Sequence, residues 1–160
     1  GVTTQGFAFK GVSYVNSAST LVTTTAHEVL HNNAAEGFGQ VVGVAFNEGI
    51  TETLARSALI DAGVPVPGVT AYPMEVALTK SLTNLVGMDI VQEAYFGGAQ
   101  GLVDEYYNRA WGSWPDLVAA SLALDATKLN ENLQPKSADN LGGAMEDLDE
   151  DADYQADEST

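Results

Sequence analysis

Residues 20–34 constrain this chain most, because one short segment joins a helical pattern to both of its histidines. Its apolar residues recur at the 3.6-residue spacing of a helix face: Val22, Ala26, Val29, Leu30 and Ala34. Ser19 or Thr20 can cap the start of a helix, and the pair Asn32–Asn33 favours its end. We therefore predict a helix that carries the sequence HEVLH, from His27 to His31.

The two histidines are four residues apart, so both side chains project from the same face of the predicted helix. Both imidazoles can then reach one metal ion, at the roughly 2.0–2.1 Å of a zinc–nitrogen bond. Glu28 is rotated by about 100° from His27, where its carboxylate can reach a water on the metal but is poorly placed as a ligand. The alternative interpretation is an amphipathic helix whose histidines face solvent or fill the core.

A catalytic zinc usually takes three protein ligands and keeps a fourth position open. The chain has two histidines and no cysteine, so the third ligand must be a carboxylate. Glu48, within FNEGITETLA, leaves room after His31 for a turn at residues 37–39 and an antiparallel second helix. Glu52 lies one turn after Glu48 on the same face, where it can accept a hydrogen bond from a ligand histidine, His27 being favoured.

Together, HEVLH and NEGITE resemble the paired motifs of the gluzincin zinc peptidases, the thermolysin-like clan, which read HExxH and then NExx[ST][DE]. The resemblance covers residues 20 to about 60, the two predicted helices and their turn. It implies that His27, His31 and Glu48 bind Zn²⁺. It also implies that Glu28 is the general base and that Glu52 supports a histidine. The implied reaction is hydrolysis of a peptide or protein substrate, and an endopeptidase is favoured because no motif for gripping a free α-amine is recognisable.

Members of that family usually have a multistranded sheet before the motif helix, whereas few residues precede it here. Residues 5–15 alternate in polarity and predict two short strands that meet near Lys10–Gly11. The segment Phe7–Val15 is either an edge strand that pairs with the substrate backbone or a plain structural hairpin.

Thermolysin also uses a later histidine to stabilise the oxyanion, and this chain has none left. A tyrosine hydroxyl is physically adequate for that role. Tyr72 is favoured because it leaves a Gly/Pro-rich loop at the start of a predicted helix. The other candidates are Tyr95, Tyr106, Tyr107 and Arg109.

The remaining pattern is mostly helical. A glycine-rich connection over 37–45 leads to the second helix, predicted at about 46–60, and a Gly/Pro loop follows. Gly49, inside that helix, is expected to allow a close backbone approach. Further helices are predicted from Pro73 to Gly87 and over 89–96, 100–111 and 114–126. The predicted fold is mainly α, of the α+β class: a zincin-like helical domain over residues 1–129 with a small N-terminal β element. Residues 130–160 are predicted to form a disordered acidic tail.

Charge and composition exclude some classes of function. The formal net charge is −16, which disfavours direct binding to nucleic acid and to anionic lipid. No apolar run reaches the roughly 18–20 residues of a membrane span, so membrane insertion is not expected. The chain begins at Gly1, which favours a protein that is secreted or released from a longer polypeptide.

Two functional hypotheses follow. The first is a zinc-dependent peptidase in which Glu28 activates water, with a released effector or toxin protease as one variant. The second is a catalytically silent zincin-fold module that binds partners or supports a larger assembly.

Overall fold

A computed structural model describes the backbone of residues 6–9 and 12–15 and all atoms of residues 22–136. The mainly helical fold predicted from sequence is confirmed. Two strands, β1 (Gly6–Phe9) and β2 (Val12–Val15), precede seven helices in this part of the chain. The helices are α1 (Val22–His31), α2 (Phe38–Asp61), α3 (Pro73–Val86), α4 (Met88–Gly97), α5 (Gln100–Arg109), α6 (Trp114–Ala123) and α7 (Ala126–Asn132). None of the described helices combines the length and apolarity of a membrane span. Residues 137–160 of the predicted acidic tail (130–160) lie outside the described residues.

The predicted N-terminal β element is an antiparallel hairpin. Gly6 pairs with Val15 and Phe9 with Val12, and residues 10–11 between the strands lie outside the described residues. Both strands lie against α1, which places the hairpin next to the helix that carries HEVLH.

Helices α1 and α2 pack against each other after a tight reversal. The Asn33 side chain donates to the Val29 carbonyl at 2.7 Å and helps end α1. Gly37 then adopts a left-handed conformation, with φ of 78°, and α2 begins at the next residue. This reversal lies where the antiparallel return to Glu48 was predicted, and it brings the two motif helices side by side.

The glycine-rich connection predicted over 37–45 is wrong, because most of it is helix. Helix α2 begins at Phe38, since Phe38, Val42 and Phe46 recur on one face and are almost fully buried. Gly43 interrupts this helix with φ of 77° and ψ of 161°, a conformation that glycine adopts readily. A Cβ at Gly43 would also lie 2.8 Å from a methyl carbon of Val118, so the kink lets α6 approach closely.

Gly49 allows α2 and α3 to pack closely, which is the close backbone approach that was predicted at this glycine. A Cβ there would lie 2.1 Å from the carbonyl oxygen of Glu75 and 2.5 Å from Thr79 Oγ1. The α3 backbone therefore lies directly on this glycine, one residue after Glu48. Pro73 in the first turn and Gly87 at the end delimit α3 as predicted.

Gly49→Ala is expected to destabilise the fold by about 1–3 kcal/mol, the usual cost of overpacking, despite the better helix propensity of alanine. Gly101 is the matched control, because it lies in α5 with open space at its Cβ position. Gly101→Ala should stabilise by about 0.5–1 kcal/mol. Urea unfolding of both variants checks this prediction, and equal effects would contradict the close contact.

The later helices complete one core. Its largest fully buried side chains come from five helices, α2 to α6, and include Phe38, Phe46, Leu82, Tyr95 and Tyr106. The end of the helix predicted over 114–126 is wrong. Helix α6 ends at Ala123, because Leu124 takes a left-handed conformation with φ of 51°. Asp125 then caps a separate helix, α7, by accepting from the Lys128 amide. Helix α7 runs past residue 129, and Tyr106 donates to the Asn132 carbonyl at 2.7 Å.

Candidate metal centre

The paired motifs meet where α1 crosses α2. His27 and His31 lie one turn apart on α1, and Glu48 and Glu52 lie one turn apart on the neighbouring face of α2. Among the described residues, His27, His31 and Glu48 form a group that could hold a metal ion. The structure therefore brings together the three side chains that the sequence predicted as ligands.

The separations of the three candidate ligand atoms fit a common ion. His27 Nε2 lies 3.0 Å from Glu48 Oε2 and 2.9 Å from His31 Nε2, and His31 Nε2 lies 3.3 Å from Glu48 Oε2. Three atoms at these separations lie on a circle of about 1.8 Å radius, which is shorter than the roughly 2.0–2.1 Å of zinc–ligand bonds. One point can thus lie at bonding distance from all three atoms.

The hydrogen bonds behind the imidazoles indicate which ring nitrogens face the centre as acceptors. His27 Nδ1 lies 3.1 Å from Glu52 Oε2, and an ionised carboxylate can only accept, so this nitrogen carries a proton. The Nε2 lone pair of the neutral ring then points towards Glu48 and His31. A lone pair, a carboxylate and a second imidazole nitrogen within hydrogen-bond distance of one another require a cation or a proton between them.

The electrostatics agree with a site that attracts positive charge. Burial alone lowers the pKa of His27, but Glu48 and Glu52 more than offset it and raise that pKa to about 9. Burial alone raises the pKa of Glu48, but hydrogen bonds from His27 and His31 lower it to about 2. The cluster therefore holds an ionised carboxylate beside an imidazole that binds a proton tightly when no metal is bound.

Glu28 lies beside this group without being part of it. Its side chain is buried, with 5% of the residue exposed, and burial raises its pKa above the usual value for glutamate. The charges of His27, His31 and Glu48 act on it, which places its carboxylate near all three. A buried carboxylate with a raised pKa, next to a possible metal, has the properties of a general base.

Glu52 links His27 to the loop after α2. Besides His27 Nδ1, it accepts a hydrogen bond from Thr70 Oγ1 at 2.8 Å, and Arg56 Nη1 lies 3.6 Å away. Burial alone would raise the pKa of Glu52, but the hydrogen bonds from His27 and Thr70 outweigh it, so the pKa is lower than that of an ordinary glutamate. Glu52 therefore lies where it was predicted from sequence, at the Nδ1 side of His27 and away from the three candidate ligand atoms.

Tyr72 is the one predicted oxyanion candidate whose ring reaches a candidate ligand in the described structure. Its ring stacks on that of His27, with 5.0 Å between centroids and 9° between planes. Burial, and then the charges of Glu48 and Glu28, raise the pKa of Tyr72 to about 12, so its hydroxyl keeps its proton at neutral pH. Thr70 Oγ1 accepts from the Tyr72 amide at 3.1 Å, which connects this tyrosine to Glu52.

The other candidates lie elsewhere. Tyr106 donates to the Asn132 carbonyl, and the Tyr107 hydroxyl accepts from the Trp114 amide. Arg109 pairs with Glu105 on the surface of α5. Tyr95 is fully buried, and its hydroxyl bonds to Thr51 rather than facing the centre.

Comparison with models of protein families finds no match. Comparisons with curated proteins and with solved structures find no significant match either.

Two residues of the site, Thr51 and Thr70, were not predicted from sequence, and Tyr95 was predicted as an oxyanion candidate rather than as a partner of Thr51. Thr51 occupies the Ser/Thr position of the NExx[ST][DE] pattern, so a signal for it was available. Thr70 lies in an irregular loop and Tyr95 is 44 residues from its partner Thr51, and no local pattern marks either of them.

Proposed function

We propose that this protein is a zinc-dependent peptidase, in which His27, His31 and Glu48 bind the zinc ion and Glu28 is the general base. The observation that carries the proposal is the convergence of His27 Nε2, His31 Nε2 and Glu48 Oε2 to within 3.3 Å of one another. Two imidazoles and one carboxylate are a donor set of hydrolytic zinc enzymes.

A buried second carboxylate favours hydrolysis over other uses of such a site. Two histidines and one carboxylate also suit ferrous iron in oxygenases, whereas hydrolysis at an HExxH site uses a glutamate as a base beside the metal. Glu28 supplies such a base next to the ligands. The resemblance of HEVLH and NEGITE to gluzincin motifs supports the same proposal, including Glu52 as the partner of His27.

Zinc held by the three ligands would supply Lewis acidity, polarising the substrate carbonyl and lowering the pKa of water towards about 7. Glu28 Oε accepts a proton from the attacking water while the water oxygen bonds to the carbonyl carbon. The same carboxyl group then delivers that proton to the amide nitrogen as the C–N bond breaks. The proton that remains on the new carboxylic acid passes to the amine, so the products are a carboxylate and an ammonium group, and Glu28 returns to its ionised state.

Tyr72 is proposed to stabilise the oxyanion. Its hydroxyl is a neutral donor beside Glu48, and its ring is held by the stack on His27. The Thr70 hydroxyl accepts from the Tyr72 amide and donates to Glu52. Hydrogen bonds therefore connect the loop before α3 to the carboxylate that contacts His27.

Tyr72→Phe should therefore lower kcat by about 10²–10³-fold, the usual effect of removing one oxyanion donor, with little change in KM. The phenylalanine ring keeps the stack on His27, so zinc affinity should stay at the wild-type value. Tyr107→Phe is the control, because Tyr107 contacts none of the candidate ligands. Steady-state kinetics on a fluorogenic peptide measure the effect, and an unchanged kcat would remove Tyr72 from the mechanism.

The hairpin offers a route for binding the substrate backbone. It lies against α1, and within the described residues each of its two strands pairs along one edge only. An extended peptide could add to a free edge by main-chain hydrogen bonds. The proposed substrate is accordingly an extended segment of a peptide or protein.

Metal removal tests the proposed function. The full chain, treated with 1,10-phenanthroline and dialysed, should lose cleavage of a fluorogenic peptide library. Activity should return at about one equivalent of Zn²⁺. An untreated protein that binds zinc but cleaves no peptide would instead support the catalytically silent module.

A further inference from the structure

His31 is held from behind by a hydroxyl on α2. Thr51 is fully buried, and its Oγ1 has three polar neighbours. The Asn47 carbonyl lies at 2.7 Å, the Tyr95 hydroxyl at 2.9 Å and His31 Nδ1 at 3.4 Å.

The chemistry of the three neighbours assigns every proton around Thr51. A hydroxyl has one proton to donate and two lone pairs that accept. The Asn47 carbonyl can only accept and makes the shortest contact, so it takes the Thr51 proton. Tyr95 must then donate its proton to Thr51 Oγ1, and His31 donates from Nδ1 to the remaining lone pair.

Tyr95 is itself fixed by the core. It is fully buried on α4, and its ring meets Phe38 edge-on at 4.9 Å between centroids. Its backbone carbonyl accepts from the Ala35 amide at 2.7 Å, just after the end of α1. These two contacts, with Phe38 at the start of α2 and with Ala35 just after α1, therefore fix the position of the Tyr95 hydroxyl beside Thr51.

We propose that Thr51 and Tyr95 are positioning residues that hold His31 in its Nδ1–H tautomer, with the Nε2 lone pair directed at the metal centre. The inference rests on the proposed function in that it takes His31 as a metal ligand. Glu52 does the same for His27, so each ligand histidine has its own support: an anionic carboxylate for His27 and a neutral hydroxyl pair for His31.

The Tyr95 proton matters because it occupies one of the two lone pairs of Thr51. Without it, the Asn47 carbonyl alone orients the Thr51 hydroxyl, which can then turn its proton towards His31 Nδ1 instead. That hydrogen bond would favour the opposite tautomer, which carries a proton on Nε2 and cannot bind a metal there. The pair thus selects the metal-binding form of the ring before any ion arrives.

The first test is the Zn²⁺ affinity of the full chain, measured by competition with a chromophoric chelator. Thr51→Val keeps the shape but removes the hydroxyl, and it should weaken Zn²⁺ binding by about 10–100-fold. Thr51→Ser should retain the wild-type affinity. Thr53→Val is the matched control, because the Thr53 hydroxyl also donates to a carbonyl one turn earlier, that of Gly49 at 2.7 Å. It should leave the affinity unchanged.

The second test reads the tautomer directly, by imidazole ¹H–¹⁵N correlation spectra of the zinc-loaded protein. In the wild type, His31 should show a slowly exchanging Nδ1–H. Tyr95→Phe should speed this exchange and weaken Zn²⁺ binding several-fold, with an unchanged circular dichroism spectrum. If Thr51→Val does not fold, Tyr95→Phe decides: an unaltered affinity and an unaltered His31 signal overturn the proposal.

The outcomes separate this inference from the peptidase proposal. Weaker Zn²⁺ binding in Thr51→Val, in a protein that cleaves no peptide, supports the positioning role and contradicts the peptidase. If a cleaving enzyme is inactivated by Glu28→Gln, but Thr51→Val changes neither affinity nor the His31 signal, the peptidase stands and the positioning role is wrong.

Discussion

Glu28→Gln is expected to lower kcat for peptide hydrolysis by about 10²–10⁴-fold, the contribution of a positioned general base. Glutamine has nearly the same size as glutamate but cannot take a proton from water. Burial raises the pKa of Glu28, which means that the folded protein disfavours its charge. Losing that charge should therefore leave the fold intact. The measurement is kcat on a fluorogenic peptide together with zinc content by mass spectrometry of metals.

The control is Glu93→Gln, because Glu93 is an exposed carboxylate on α4. It should leave both activity and zinc content unchanged. The expected result is a Glu28→Gln protein that is inactive and still binds one zinc ion. Full activity would contradict the assignment of Glu28 as the base, and loss of the metal would show that Glu28 belongs to the ligand set.

Glu48→Gln is expected to have the largest effect on metal binding. It replaces the carboxylate oxygen that lies 3.0 Å from His27 Nε2 with a weaker amide donor. Zinc affinity should fall by more than the roughly 100-fold upper range for residues that only support a ligand. Peptide cleavage should be lost with it, and isothermal titration with Zn²⁺ measures the change.

Glu52→Gln provides the graded comparison. Glu52 contacts His27 Nδ1 and Thr70 but not the centre itself, so its loss should weaken Zn²⁺ binding by about 10–100-fold. The expected order of affinity is wild type, then Glu52→Gln, then Glu48→Gln. The reverse order would contradict the assignment of ligand and support.

The helices could be predicted because most have strong local signals. Pro73 and Gly87 mark the ends of α3, and the structure places them there. The first two turns of α2 were missed because the glycines at 37, 39 and 43 favour a loop, whereas the burial of Phe38 and Val42 stabilises a helix there. Tertiary packing outweighed the local preference.

Apolar periodicity predicted helix α1 but does not mark its buried face. Val22 and Val29 are nearly half exposed, whereas Thr23, His27 and Glu28 are buried. The His27 ring can be buried here because it bonds to Glu48 and Glu52 across the two helices. A helix that buries polar side chains indicates a functional site. The sequence of α1 alone does not show this burial, because it depends on the packing of α2 against α1.

The candidate ligands could be found from sequence because their spacing on two helices is itself geometric. His27, His31, Glu48 and Glu52 all lie where the two motifs placed them. The connections through Thr70 and Tyr95 depend on how a loop and a distant helix fold back onto α2. No short-range pattern encodes such contacts, so only the three-dimensional structure reveals them.

Anomalous diffraction at the zinc absorption edge, from crystals of the full chain grown with Zn²⁺, locates the bound ion. We expect one anomalous peak per chain, at about 2.0–2.2 Å from His27 Nε2, His31 Nε2 and a carboxylate oxygen of Glu48. A peak at any other group of residues, or none at this one, would contradict the proposed zinc site.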